Sequence, residues 1–189
     1  MQTLRLITTE KQLKLLEAIV YSKDEKLGVR KLAEKLGMNP GYVSVILKKM
    51  ENEKLILEGK IQNTPGLQAI RFLFNVERLS LAWKRLRLLK IRGFGVYGSW
   101  AKGTNNADSD LDVWILMEKE PGADALGKIR NVVSKNTDVA EVSIMVLTKA
   151  RIEELKQKDK LFYSSLLNSF RIGGDELAGF TRMFRKRTN

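Results

Sequence analysis

The run DLDVWILM, residues 110–117, limits what this chain can fold into more than any other stretch. Leu111, Val113 and Ile115 alternate with Asp110, Asp112 and Trp114. That two-residue period belongs to a β-strand and sends the two sets to opposite faces of a sheet. Two carboxylates on one strand face lie about 7 Å apart along the backbone, close enough for their side chains to converge. Alone they repel each other, and a hard cation relieves the repulsion. Mg²⁺ fits the role, because it accepts carboxylate oxygens and keeps positions free for water and phosphate. Two such ions about 4 Å apart can activate an attacking oxygen and stabilise a leaving one.

The flanking segments are consistent with such a site. FGVYGSWAKG reads as a short strand, Phe94 to Tyr97, turning at Gly98-Ser99 into a helical turn. Glycine tolerates the sharp turn, and the free N–H groups of a helix start suit phosphate oxygens. TNNADS is a polar loop leading into the Asp-bearing strand. Further on, ADALGKIRNVVSKN has helical character and DVAEVSIMVLT reads as a second strand. There Glu141, Ser143 and Met145 share one face, opposite Val142, Ile144 and Val146. Glu141 is the acid inside that run, which makes it the candidate third ligand and general base. Asp138, at the edge, is the second choice.

The missing residue types narrow the chemistry. Among 189 residues there is neither cysteine nor histidine. Disulfides, thiolate metal sites, Ser-His catalysis and imidazole bases are therefore excluded. Carboxylates, lysines, hydroxyls and a hard cation remain. No stretch approaches the roughly 20 apolar residues of a membrane span, and MQTLRLITTEKQ lacks the apolar core of a secretory signal. A cytoplasmic setting without membrane contact is expected.

Charge is distributed unevenly. Residues 1–92 hold 19 Lys and Arg against 9 Asp and Glu, whereas residues 93–189 hold 15 against 13. Four of those 15 lie in the basic C-terminal tail FTRMFRKRTN. A basic excess concentrated in one half favours a polyanionic partner.

The basic half explains itself further. TEKQLKLLEAIVYS carries Thr9 as a helix N-cap, with Leu13, Leu16, Ile19 and Val20 at helical spacing. VRKLAEKLG is a short helix ended by Gly37, and MNPGYVSVILKKMENEKLI opens with Asn39 as N-cap and Pro40 behind it. Val43, Ile46, Leu47 and Met50 form the buried stripe of that second helix. Two short helices joined by a tight turn make a helix-turn-helix. LILEGKIQ and LQAIRFLF follow as two strand-like runs separated by NTPG, a turn signal.

The pattern LAEKLGMNPGYVSVILKKMENEKLI, within residues 8–75, resembles the winged-helix transcription regulators. The resemblance implies DNA as partner and a homodimer as the binding form. Tyr42, Ser44, Lys48 and Lys49 on the second helix and Lys60 near the wing tip are the candidate DNA contacts. Lys54 departs from the pattern, standing where that family often has a helix-ending glycine. VERLSLAWKRLRLLKIRG, residues 76–93, is then expected as a packed connecting helix, with Leu79, Ala82, Trp83, Leu86 and Leu89 at helical spacing.

GSWAKGTNNADSDLDVWIL resembles the DNA polymerase β-like nucleotidyltransferase superfamily, whose signature is G-S-x-A-x-G-x(n)-S-D-x-D. Gly98, Ser99, Ala101, Gly103, Ser109, Asp110 and Asp112 match it. The likeness covers residues 76–180 and is closest to the minimal archaeal and bacterial members. It implies a mixed sheet flanked by helices, two Mg²⁺ ions, and a nucleoside triphosphate, ATP first among them, as substrate. It assigns metal to Asp110, Asp112 and Glu141, and nucleotide to Gly98, Ser99, Lys102, Gly103 and Ser109. Glu141 stands where the superfamily usually has Asp, and Lys102 where Arg is frequent. TKARIEELKQKDKLFYSSLLNSFRIGGDEL is similar to the helical tail and closing strand of those members.

The expected architecture is α+β in two domains: a winged helix-turn-helix over 1–75, the connecting helix over 76–93, and a minimal nucleotidyltransferase domain with its basic tail over 94–189. The expected activity is transfer of a nucleoside monophosphate from NTP to an acceptor. Since minimal relatives include members that modify partner toxin proteins, a toxin-like protein is a candidate acceptor. A transcription regulator or antitoxin-like protein with a catalytically weak nucleotidyltransferase fold is the alternative, and an RNA-binding accessory protein the third reading.

Overall fold

The computed structural model describes residues 9–22, 26 and 28–177. The basic tail lies outside the described residues. The chain divides into two compact units: one takes residues up to Phe74 with Gly103–Ser109, the other Asn75–Lys102 and the residues from Asp110 onward.

The first unit is helical with a small hairpin. Helix α1, Glu10–Val20, starts at a reciprocal cap: the Thr9 hydroxyl accepts from the Gln12 N–H at 3.2 Å, and the Gln12 side chain accepts from the Thr9 N–H at 3.1 Å. Helix α2, Val29–Leu36, ends on Gly37 in the left-handed conformation, φ 60°. Helix α3, Pro40–Asn52, is opened by Asn39, whose Oδ1 accepts from the Gly41 N–H at 2.8 Å. Val43, Ile46, Leu47 and Met50 are buried as the helical stripe requires, and join Leu15, Leu16, Ile19, Leu32 and Ala33 in one core.

Strands β1, Ile56–Leu57, and β2, Lys60–Ile61, pair antiparallel, Leu57 opposite Lys60. Glu58 and Gly59 between them both have positive φ, 53° and 78°. Such a two-residue turn matches the twist of a hairpin. The wing is therefore contained within LILEGKIQ, and the expected second strand LQAIRFLF is corrected: it lies in helix α4, Pro65–Leu86. The reason is local as well as tertiary. The Thr64 hydroxyl accepts from the Leu67 N–H at 3.3 Å, so Thr-Pro-Gly caps and opens a helix rather than turning a hairpin. Leu67, Ile70 and Phe74 then bury one helical face in the first core, while Ala69 and Leu73 are exposed. The helix expected over 76–93 thus starts at Pro65 and ends at Leu86, followed by a 3₁₀ turn at Arg87–Leu89.

The Gly103–Ser109 loop has a structural reason for its glycine. Gly103 has φ 66°, and a Cβ there would fall 2.0 Å from the Gln68 carbonyl oxygen, which no side chain can tolerate. The Arg71 guanidinium, itself buried, donates to the Gly103 carbonyl at 2.8 Å.

The second unit is built on a four-stranded sheet in the order β5-β4-β3-β6. These strands are β3, Gly93–Val96; β4, Leu111–Leu116; β5, Val142–Leu147; and β6, Phe170–Gly174. β4 and β5 run parallel, and the other pairs antiparallel, giving the expected mixed sheet. Helix α5, Gly98–Lys102, joins β3 to the loop before β4. Helix α6, Ala123–Thr137, makes the crossover to β5, and helices α7, Lys149–Lys158, and α8, Lys160–Leu167, lead to β6.

Both faces of the sheet are covered. Leu79, Ala82 and Leu86 of α4 and Ile129 and Val133 of α6 pack with Phe94, Val96, Leu111, Val113, Ile115 and Val142. On the opposite face Trp114, Leu116 and Leu147 meet Ile152, Leu155 and Leu166 of the last two helices. The alternation in DLDVWILM is thus read correctly: the odd-numbered residues enter one core and Trp114 the other. This leaves Asp112 as the single residue of β4 that is not fully buried.

Candidate functional site

The site forms along one end of the sheet, where β3 finishes and β4 and β5 begin. β3 delivers Tyr97 and Gly98, and its partner β4 brings Asp112 beside them: the Tyr97 N–H donates to the Asp112 carbonyl at 3.1 Å. Gly98 has φ 68°, and a Cβ on it would lie 2.7 Å from Asp112 Oδ2. The missing side chain is what leaves room for the carboxylate. Helix α5 is held in place by the buried Asn75, whose Nδ2 donates to the Trp100 carbonyl at 2.8 Å, and by the buried Trp100 ring. Ser99 is half-buried and Lys102 exposed on this short helix.

Asp110 is exposed and lies just ahead of β4; Asp112 is half-buried within it. Burial and then the neighbouring Asp110 charge push the Asp112 carboxyl above the usual carboxylate range, against a hydrogen bond from Ser143 that favours the charged form. A half-buried acid whose ionisation is made costlier by a neighbouring carboxylate is relieved by a cation. The donor set is hard oxygen, and the space that Gly98 leaves free borders Asp112 Oδ2. These residues fit Mg²⁺, which is commonly held by one or two carboxylates together with substrate phosphates.

Tyr97 completes the neighbourhood. Its phenol is pushed up by burial and by the Asp112 charge, again with Ser143 as hydrogen-bond partner. Its ring packs edge-on against Phe162, centroids 6.0 Å apart. Ser143, on β5, is the register partner of Asp112.

Glu141 lies ahead of β5 rather than inside it, and it is exposed. Its carbonyl accepts from the Leu111 N–H at 3.1 Å. Among the described residues, no three acidic side chains gather closely enough to hold a metal ion. Asp110 and Asp112 are therefore neighbours, but the structure does not join Glu141 to them as a triad. Asp138 is the left-handed C-cap of α6, φ 59°. Gly103 and Ser109 belong to the loop that clusters with the first unit, and there the Ser109 hydroxyl and Asn106 tie to each other through 2.9 Å hydrogen bonds.

The expected DNA contacts are divided by burial. Ser44, Lys48 and Lys49 are exposed on α3, and Lys60 is exposed at the start of β2. Tyr42 instead packs partly against the helical core. Sequence reasoning passed over two residues of the carboxylate site, Tyr97 and Ser143. Ser143 was on the correct face of its strand, but a hydroxyl has no distinctive signal until register places an acid beside it.

Comparison with protein families matches residues 76–168 to the nucleotidyltransferase domain and residues 8–56 to a winged helix-turn-helix DNA-binding domain. Neither the curated proteins nor the solved structures gave a match. The first span contains Gly98, Ser99, Asp110, Asp112, Glu141 and Ser143; the second contains α1 to α3 and the start of the wing. The chain is a fusion of an N-terminal winged helix-turn-helix domain and a nucleotidyltransferase domain.

Proposed function

We propose that the protein is a Mg²⁺-dependent nucleotidyltransferase that moves a nucleoside monophosphate from a nucleoside triphosphate, ATP foremost, to an acceptor. The observation that carries this reading is the pair Asp110 and Asp112, the second set against the side-chain-free Gly98, within a matched nucleotidyltransferase domain. An acceptor oxygen attacks the α-phosphorus, the bond to the β-phosphate oxygen breaks, and pyrophosphate leaves with the electron pair. Asp110 and Asp112 would hold Mg²⁺, which supplies charge neutralisation along the triphosphate. Gly98 and Ser99 present main-chain N–H groups to phosphate oxygens, and Lys102 adds a positive charge. Glu141 is the exposed carboxylate suited to take the acceptor's proton.

DNA binding by the first unit accompanies this activity, with Ser44, Lys48, Lys49 and Lys60 toward phosphates and bases. A cytoplasmic homodimer that binds its own control region and modifies a toxin-like partner protein would use both parts. Among the described residues no helix is long and apolar enough to cross a membrane. The second reading, a regulator whose nucleotidyltransferase fold is catalytically weak, is favoured by the lack of a gathered acidic triad among the described residues.

Release of pyrophosphate from each of the four ribonucleoside triphosphates, with and without Mg²⁺, separates the two readings. Mg²⁺-dependent release lost in Asp112→Asn supports the enzyme. Nucleotide binding without release by wild type, under every acceptor condition, supports the regulator.

A further inference from the structure

The parallel pairing of β4 with β5 sets Ser143 directly beside Asp112, because register partners on adjacent strands project to the same face. Glu141 stands two residues earlier, ahead of β5, and its carbonyl accepts from the Leu111 N–H. The sheet position next to the half-buried carboxylate is thus occupied by a hydroxyl rather than by an acid. Tyr97, just past the end of β3, lies in the same neighbourhood, its ring edge-on against Phe162. Ser143 has one hydrogen to give and lone pairs to receive. The Ser143 contact favours the ionised form of Asp112, so the hydroxyl is the donor and the carboxylate the acceptor.

We propose that Ser143 is the positioning residue of the metal-binding pair: its hydroxyl, set beside Asp112 by strand register, holds the carboxylate in the orientation that receives a divalent cation. The proposal rests on the nucleotidyltransferase reading and deepens it. A carboxylate held by one hydrogen bond keeps its remaining lone pairs for the ion, and it loses less freedom when the ion arrives. Partners of this kind, outside the ligands themselves, typically change metal affinity about 10–100-fold when removed. Ser143 therefore makes up, through orientation, part of what a third acid on β5 would contribute by charge.

The experiment is a titration of the full-length, metal-free protein with Mn²⁺ alone, followed by the electron paramagnetic resonance of the free ion. Asp112→Asn, Ser143→Ala, Ser143→Thr and Glu141→Gln are compared with wild type. The proposal expects Ser143→Ala to weaken Mn²⁺ binding about 10-fold. It expects Ser143→Thr, which restores the hydroxyl, and Glu141→Gln to remain within about 2-fold of wild type. Ser143 is exposed, so its variants keep the fold, and metal-free melting curves superimposable on wild type check this. If Ser143→Ala binds like wild type while Asp112→Asn loses the ion, the Ser143 proposal is overturned and the metal reading stands. Glu141→Gln weakening binding as much as Ser143→Ala overturns it too, since the third group would then be the acid. If wild type binds no Mn²⁺, or Asp112→Asn binds as well as wild type, the metal reading itself falls and takes the proposal with it.

Discussion

Asp112 and Ser143 are register partners across the parallel strands β4 and β5, which sets the serine hydroxyl and the carboxylate side by side on one face of the sheet. The pairing matters because a polar group in an otherwise buried strand costs stability unless a partner satisfies it. One hydroxyl satisfies part of Asp112. Its Oδ2 borders the space that Gly98 leaves free.

Asp112 should make the metal-free protein less stable at neutral pH than an uncharged isostere would. Its carboxyl is raised by burial and by Asp110, so the folded state binds its proton more tightly than the unfolded state does. Stability is therefore gained as pH falls through the raised value and lost as pH rises through it. Asp112→Asn is expected to melt higher than wild type at pH 7 without metal, with the gap closing in mild acid. Millimolar Mg²⁺ should raise the melting temperature of wild type and leave Asp112→Asn unmoved. Thermal melts over this pH range, with Mg²⁺ and with EDTA, measure both effects.

Gly98→Ala acts on backbone and site together. An alanine at φ 68° costs about 1–2 kcal/mol, and its methyl group would press on Asp112 Oδ2 from 2.7 Å. Urea denaturation should show that loss of stability. Titration with Mn²⁺ should show weakened binding beyond what the fraction unfolded explains.

Lys54 is in the left-handed region, φ 56°, after α3, where its Cβ is unfavourable. Lys54→Gly should stabilise the protein by about 1 kcal/mol, measured as a higher urea midpoint at unchanged slope. The first unit supplies no reason to keep the strain for packing, because Lys54 is exposed. Loss of stability on this substitution would contradict the backbone account.

Lys48, Lys49 and Lys60 should contribute charge to DNA binding independently of sequence. Each lysine that contacts a phosphate adds about 0.9 to the salt-dependence slope on duplex DNA. The triple Gln variant should bind more weakly and with a shallower slope, by fluorescence anisotropy across a salt series. Tyr42→Phe, in contrast, should leave binding nearly unchanged, since its ring packs partly against the core.

Much of the fold is written in local chemistry. Thr9, Asn39 and Gly37 cap their helices as their residue types require, and the four apolar residues of α3 are all buried. The two-residue period of β4 identified the acid pair and its face. α4 escaped because Pro65-Gly66 serves equally well in a turn or at a helix start. What decides it is the Thr64 cap and the core that receives Leu67, Ile70 and Phe74. Ser143 escaped for a different reason. Its role depends on which residue of β4 lies opposite it, and strand register is a property of the folded sheet. Glu141 looked favourable as an acid in a strand-like run, but the strand begins one residue later.

The central claim is best tested by following the α-phosphate. Wild-type protein, Mg²⁺ and cell extract are incubated with ATP, CTP, GTP or UTP labelled at the α- or the γ-phosphate, and the macromolecular fraction is counted. The nucleotidyltransferase account predicts label on an acceptor from the α-phosphate of at least one nucleotide and none from the γ-phosphate. It also predicts that the label disappears with EDTA and in Asp110→Ala/Asp112→Ala. No transfer from any nucleotide, or equal transfer by the doubly substituted protein, would contradict it.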